Sequence, residues 1–151
     1  MAMSEPFLPA SPCMCGNFRR SSRALTQLYE NALRPLGLRA SQLTILQVLS
    51  RAGDVSQHQL GEMLAMDSTS LTRTLAIMRR RGWILVRSGE DRRKRLLCLA
   101  GAGKRQLGRA LPVWEKTQSR LRRKLGAKTW NELLLLTHQV TRLVTTQGGS
   151  L

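Results

Sequence analysis

The chain has 151 residues, 25 of them lysine or arginine against nine acidic ones, with a formal charge of +16 and a pI near 11.6. This length suits one domain with a hydrophobic core. The large positive charge favours a polyanionic partner, either nucleic acid or an anionic membrane surface; a charge that serves only solubility is the alternative. Three cysteines are too few for a secreted disulfide framework, and no apolar run or leader pattern suggests membrane insertion or export, so we expect a cytoplasmic protein.

The first 16 residues are predicted to form an N-terminal arm. They contain three of the five prolines and show no apolar periodicity. The arm ends in a Cys-x-Cys pair, Cys13 and Cys15. Residues 17–40 form the next segment, in which a helix from about residue 17 to Leu33 is ended by proline and glycine.

A second helix is predicted to begin near Ser41, which has the character of an N-cap, and to end at Gly53. It is so apolar that we expect it to be buried. Ser56 lies three residues before Gln59, the spacing of a capping box, and this pair predicts the start of a third helix. The positions of that helix expected to face inward are Leu60, Met63 and Leu64.

A turn at residues 65–67 leads to a fourth helix, for which either Asp67 or Ser68 can serve as the cap. The apolar positions of this helix form one stripe: Leu71, Leu75 and Met78. The opposite side is small, hydroxylic and basic, and consists of Thr69, Thr72, Arg73, Ala76 and Arg80. Such a face can enter a major groove, and two short helices joined by a tight turn form a helix-turn-helix.

Gly82 is predicted to end the fourth helix, and a two-stranded ribbon follows, with strands at 83–87 and 93–99. Nine basic residues lie between Arg73 and Arg95, opposed there by only two acidic residues. A basic hairpin beside a recognition helix makes a winged helix-turn-helix, which predicts a DNA-binding lobe at residues 41–100.

Residues 101–147 are predicted to form a helix at 101–125, which Pro112 should kink, and a last helix near 128–145. The last helix has too many apolar positions for one narrow buried stripe: Trp130, Leu133, Leu134, Leu136, Val140, Leu143 and Val144. The excess favours a partner helix from a second subunit. Packing on the first helix of the same chain is the alternative.

From about Cys15 to Thr145 the chain resembles the MarR family of bacterial transcription regulators. Three segments carry the resemblance: STSLTR at 68–73 as the start of the recognition helix, RGWI at 81–84 as the exit into the wing, and DRR at 91–93 followed by Leu97, Leu99 and Gly103. The chain departs from the family at Ala100, where threonine is usual, so the cap of the following helix is lost or supplied otherwise.

The resemblance implies a mostly α fold with a small β-wing, in which a winged helix-turn-helix is flanked by N- and C-terminal dimerisation helices at 17–40 and 101–147. It further implies a homodimer on double-stranded DNA with a pseudo-palindromic operator, the recognition helices lying in major grooves and the wings in minor grooves. No cofactor is required. A small, often aromatic, ligand, cysteine oxidation or a thiol-bound metal would release a repressor of this kind from its operator.

The predicted DNA-binding residues of the recognition helix are Ser68, Thr69, Ser70, Thr72, Arg73 and Arg80. Thr72 and Arg73 are our first candidates for base or phosphate contacts, with a merely solvated face as the alternative. Ser68 and Thr69 lie where free N–H groups favour a phosphate. A cap role alone is the equal alternative for Ser68.

The predicted DNA-binding residues of the wing are Arg87, Asp91, Arg92, Arg93, Lys94 and Arg95. Arg93 is our candidate for insertion into a narrow minor groove, whose negative potential attracts arginine. Asp91 is expected to hold the wing turn or to orient Arg93. The remaining cations add phosphate attraction without sequence preference.

Cys13 and Cys15 precede a helix that carries three arginines near its start. Three interpretations stay open: oxidation to disulfides between subunits, binding of a soft metal by up to four thiolates of a dimer, and inert thiols. A thiol redox enzyme is a further alternative, but no histidine–acid constellation or βαβ pattern accompanies the pair, so we expect no enzyme. An unspecific, architectural nucleic-acid-binding protein remains the other alternative to a regulator.

Overall fold

Six α-helices and a three-stranded antiparallel sheet make up the part of the chain that the computed structural model describes, residues 13–89 and 95–146. The helices are α1 (Met14–Leu33), α2 (Ala40–Ala52), α3 (Gln57–Leu64), α4 (Ser68–Arg80), α5 (Gly101–Leu125) and α6 (Ala127–Thr146), with a short 3-10 turn at Arg34–Leu36. The strands are β1 (Val55–Ser56), β2 (Ile84–Ser88) and β3 (Arg95–Leu99). This architecture confirms the predicted fold class.

The sheet has the order β1-β3-β2, so the ribbon that follows α4 is joined to the segment between α2 and α3. In the register, Ile84 lies opposite Leu99 and Val55 lies opposite Leu97. Strand β1 was not predicted, because two residues are too few to show an alternating pattern. The pairing fixes the base of the wing to the helix-turn-helix.

Helix α1 begins at Met14, earlier than the predicted start near residue 17, so Cys15 lies inside the helix and outside any arm. The earlier start is explained by an N-cap at Cys13, a residue type that is not a usual N-cap. The Cys13 Sγ accepts a hydrogen bond from the Gly16 N–H at 3.4 Å, and the side chain of Asn17 donates to the Cys13 carbonyl. Residues 1–12 lie outside the described part of the chain.

Of the two predicted caps in the centre of the chain, the cap of α2 is wrong and the cap of α3 is confirmed. Ser41 is wrong as the cap of α2, because the helix begins at Ala40 and the Gln42 side chain accepts from the Arg39 N–H. The capping box of α3 is confirmed: the Gln59 N–H donates to the Ser56 hydroxyl at 3.2 Å, and the Ser56 N–H donates to the Gln59 side chain at 2.9 Å.

The core lies between the C-terminal end of α1, the helices α2, α3, α4 and α5, and the sheet. Its largest fully buried side chains are Leu33, Ile45, Leu46, Leu49, Leu60, Leu71, Met78 and Ile84. Three of these come from α2, as its apolar sequence predicts. Met63 is wrong as an inward position, because 55% of it is exposed. The buried stripe of α3 runs through Leu60 and the half-buried Leu64 instead.

Helix α5 has the predicted bounds and continues through Pro112. Its cap residue, Ala100, makes no side-chain cap bond, as the departure from the family pattern implies. Its N–H instead donates to the Trp83 carbonyl at 3.0 Å. The first turn of α5 then passes so close to this carbonyl that a Cβ on Gly103 would lie 2.1 Å from the oxygen. The wing base and α5 are therefore packed backbone against backbone.

None of the helices in residues 13–89 and 95–146 combines the length and apolar composition that a membrane span requires.

Because Gly103 admits no side chain, we expect Gly103→Ala to lower the free energy of unfolding by about 1–3 kcal/mol through overpacking. Gly108→Ala is the matched control within α5, since nothing lies within 4 Å of its added Cβ. That control should gain up to about 1 kcal/mol from helix propensity. Urea unfolding at one protein concentration measures both. Equal stability of Gly103→Ala and the wild type would contradict the close packing.

Candidate nucleic-acid interface

The start of α4 is fixed by Asp67, whose carboxylate accepts a hydrogen bond from the Ser70 N–H at 2.8 Å. Of the two predicted caps, Asp67 is therefore the one used, and Ser68 is the first residue of the helix. The Ser70 hydrogen bonds lower the pKa of the Asp67 carboxyl. The free N–H groups at this helix end also favour the charged form of the carboxylate.

Helix α4 packs through Leu71, Leu75 and Met78, as predicted, and turns its other side to solvent. All predicted recognition residues are exposed: Ser68, Thr69, Ser70, Thr72, Arg73 and Arg80. At about 100° per residue, Thr69, Thr72, Arg73 and Arg80 share one face of the helix. The structure thus brings two hydroxyls and two guanidinium groups onto one unobstructed surface.

A contact from α3 to this surface was missed by sequence reasoning. The side-chain amide of Gln57 donates to the Thr72 hydroxyl oxygen at 2.7 Å. The two residues are far apart in sequence and meet only because the turn between α3 and α4 is tight, with Ala65 at a φ of 48°. Their spacing therefore gave no signal. Gln57 consequently holds the Thr72 side chain in one orientation.

Arg81, at the C-terminal end of α4, is a second residue that sequence reasoning left out of the site. Its guanidinium group donates to the Gly37 carbonyl and lies over the Trp83 ring at 4.9 Å from the centroid. The buried Gln106 of α5 donates to the neighbouring Leu36 carbonyl at 2.8 Å. These contacts fix the exit of α4 to the junction between α1 and α2.

The wing is described only at its base. Strand β2 begins one residue later than predicted, because the Trp83 N–H still donates to the Met78 carbonyl of the helix end. Arg87 lies opposite Leu96, and Arg95 lies opposite Ser88. Because neighbouring strand residues alternate in direction, the two exposed arginines project from opposite faces of the ribbon. The other predicted wing residues lie outside the described part: Asp91, Arg92, Arg93 and Lys94.

The three cysteines have different surroundings. Cys13 and Cys15 are exposed at the start of α1, whereas Cys98 in β3 is buried. Burial raises the pKa of the Cys98 thiol, with a smaller contribution from Asp54. Within residues 13–89 and 95–146, no three histidine, cysteine or acidic side chains come together as a metal site.

A helix-turn-helix followed by a β-ribbon defines a winged helix-turn-helix protein. The sequence pattern of the MarR family matches residues 36–94. The chain is 30% identical to the M. tuberculosis transcriptional regulator MosR, whose crystal structure contains DNA; the alignment covers 89% of this chain and 97% of that one, with a TM-score of 0.79. The chain therefore belongs to the MarR family.

Two further comparisons agree with this assignment. An HTH-type transcriptional regulator of Bacillus subtilis (strain 168), YwoH, is 31% identical over 80 residues, which are 53% of this chain and 58% of that relative's length. The repressor CouR, crystallised on a 23-mer DNA duplex, has the same fold at 20% identity, with a TM-score of 0.78 over 86% of this chain and 93% of that one. The predicted class, a transcription regulator and not an enzyme, is confirmed by the family.

Because the Asp67 pKa is lowered on folding, its carboxylate contributes stability that is fully present above the unfolded pKa, at about pH 4. This stability is lost as the pH falls through the lower folded pKa. We therefore expect Asp67→Ala to melt below the wild type at pH 7 and the difference to shrink in acid. Asp67→Asn, which keeps an acceptor oxygen, is the control and should lose less at pH 7. A difference between wild type and Asp67→Ala that persisted unchanged to pH 2 would contradict the role of the carboxylate.

Proposed function

We propose that this chain is a homodimeric, sequence-specific DNA-binding regulator that acts as a repressor in the cytoplasm. The observation that carries the proposal is the exposed hydroxylic and basic face of α4, on which Gln57 holds Thr72 and behind which Arg81 holds the C-terminal end of the helix. Arginine and threonine in a major groove read base edges and phosphates. The DNA-bound crystal structure of the relative MosR supports the same partner here.

The dimer is proposed from apolar surface that this chain alone leaves exposed. In α6, the exposed fractions are 55% for Leu134, 58% for Leu135 and 57% for Leu143. In α1, Met14 is 62% exposed. A patch of this kind marks a protein interface. Two-fold pairing through the terminal helices would present two recognition helices to a pseudo-palindromic operator.

We expect Arg73→Ala and Arg93→Ala each to abolish selective operator binding while leaving a folded dimer. The test is fluorescence anisotropy on the protein's own upstream region, with random duplex of equal length as reference. Arg51→Ala, a substitution of an exposed arginine at the end of α2, is the control and should bind as the wild type does. The logarithm of affinity should fall with the logarithm of salt, with a slope of about −0.9 per phosphate contacted.

Wild-type affinity in Arg73→Ala would contradict the proposed reading surface. Equal binding of the wild type to operator and random DNA would favour the architectural alternative, because specific regulators typically differ by at least about 10³ between the two.

The inducing signal is proposed to be thiol oxidation at Cys13 and Cys15, with a small aromatic ligand and a soft metal as the other candidates. Both thiols are exposed, and the Cys13 Sγ accepts a hydrogen bond from the Gly16 N–H at the start of α1. Two thiols would react with one hydrogen peroxide: the two sulfurs are oxidised and form a disulfide, and the peroxide takes up their two hydrogens and is reduced to two waters. No three ligating groups cluster within residues 13–89 and 95–146, and the metal alternative would combine thiolates of two subunits.

We expect peroxide to release the wild-type protein from its operator and a thiol reductant to restore binding. Cys13→Ser with Cys15→Ser should bind DNA normally and ignore peroxide. Cys98→Ser is the matched control, because its buried thiol is less reactive and its loss should leave the response in place. A response that survived the double substitution would assign the signal elsewhere.

A further inference from the structure

One face of α5 carries a line of cations that the proposed DNA-reading surface does not use. Its members are Arg105, Arg109, Lys116, Arg120 and Arg123, all exposed, and together we name them the α5 basic stripe. At about 100° per residue they fall within an arc of roughly 60°, and at 1.5 Å per residue the line is about 27 Å long. The sequence thus repeats positive charge at the helical period along the helix.

No described carboxylate, from residue 13 to 89 or from 95 to 146, neutralises the stripe. The one acidic residue of α5, Glu115, lies about 100° around the helix from the middle of the stripe. Within residues 13–89 and 95–146, the carboxylates of Glu30 and Glu62 pair with Arg39 and His58, and none pairs with a stripe residue. Like charges three and four residues apart destabilise a helix. A bound polyanion would remove the repulsion between the stripe's cations.

The stripe also leads away from the DNA-binding lobe. Near its N-terminal end α5 is bonded to Leu36 through Gln106, and further along it is bonded to Tyr29 of α1 through Gln118 at 2.8 Å. Helices α1 and α5 therefore run antiparallel, and the stripe follows α5 beyond α2 along α1. Helix α4, by contrast, packs on α2, α3 and β2, so the far part of the stripe lies outside the lobe that carries the proposed reading surface.

We propose that the α5 basic stripe binds the phosphate backbone of a second DNA duplex, so that the operator-bound protein can hold another DNA segment. Its length matches about eight base pairs at 3.4 Å each, and four of its five cations are arginine, which suits phosphate oxygens. The exposed residues interleaved with the cations are Gly108, Pro112 and Ser119, which offer no apolar anchor for a membrane surface. The proposal rests on the proposed function, because it presumes a first duplex on α4.

The test uses the full chain, saturated on biotinylated operator that is held on streptavidin beads. A fluorescent random duplex of about 24 base pairs is then added at several salt concentrations, and the retained fluorescence is measured. The variant carries Arg109→Gln, Lys116→Gln, Arg120→Gln and Arg123→Gln. It should keep wild-type operator affinity and lose capture of the second duplex by about tenfold or more, since the lost contacts are electrostatic.

The matched control carries Arg19→Gln, Arg23→Gln, Arg51→Gln and Lys128→Gln, which remove the same charge from exposed positions elsewhere. It should retain the second duplex within about twofold of the wild type. An equal loss in the control would assign the effect to net charge and overturn the proposal. Failure of the wild type to retain any second duplex, or preferential capture of RNA or phosphatidylserine vesicles over the duplex, would overturn it as well.

The stripe variant and the control variant are also compared for binding to random duplex in the Arg73→Ala background, a comparison that requires no operator. Weaker binding there from the stripe variant than from the control variant supports the stripe even if selective operator binding fails. Equal binding in that background overturns the stripe while leaving the proposed operator binding intact. Thermal melting confirms folding of each variant, which glutamine, a good helix former, should preserve.

Discussion

The backbone contact between Trp83 and α5 is the constraint on which the arrangement of the lobe depends. The Trp83 carbonyl accepts the Ala100 N–H and occupies the space that a side chain on Gly103 would need. On the other side of the same residue, Arg81 covers the indole ring and holds Gly37. The end of α4, the base of the wing and the start of α5 therefore meet at one point, and a displacement of any one of them must move the others.

This junction lies between the surface proposed to read DNA and the helices proposed to pair two subunits. Gln106 and Arg81 hold the carbonyls of Leu36 and Gly37, the link through which α1 enters the lobe. A change in the packing of α1 can therefore reach the end of α4 through Arg81 and the start of α5 through Gln106. Cys13 and Cys15 lie at the far end of that same helix, so the thiol signal proposed above would have to act on α4 through α1.

Much of this arrangement could be predicted from the sequence, because it is encoded locally. Ser56 with Gln59, the stripe from Leu71 to Met78 and the bounds of α5 follow from spacing alone. What could not be predicted depends on contacts between distant segments. Strand β1 exists only because β3 pairs with it, and the Gln57 and Arg81 contacts join residues whose separation carries no pattern. The thiol cap of α1 was missed because cysteine is not a usual N-cap residue.

The hydrogen bond from Gln57 to Thr72 bears on how the Thr72 hydroxyl would meet DNA on the proposed reading surface. A hydroxyl has one proton to donate, and its oxygen here already accepts from the amide. The proton and one lone pair of the Thr72 oxygen are left over, so on the proposed reading surface this hydroxyl would be able both to donate and to accept. In a major groove the acceptors are purine N7, guanine O6 and thymine O4, whereas the amino groups of adenine and cytosine are donors. The intramolecular bond would therefore order the Thr72 side chain before DNA binds, which lowers the entropy lost on binding, and would leave every base pair open to contact.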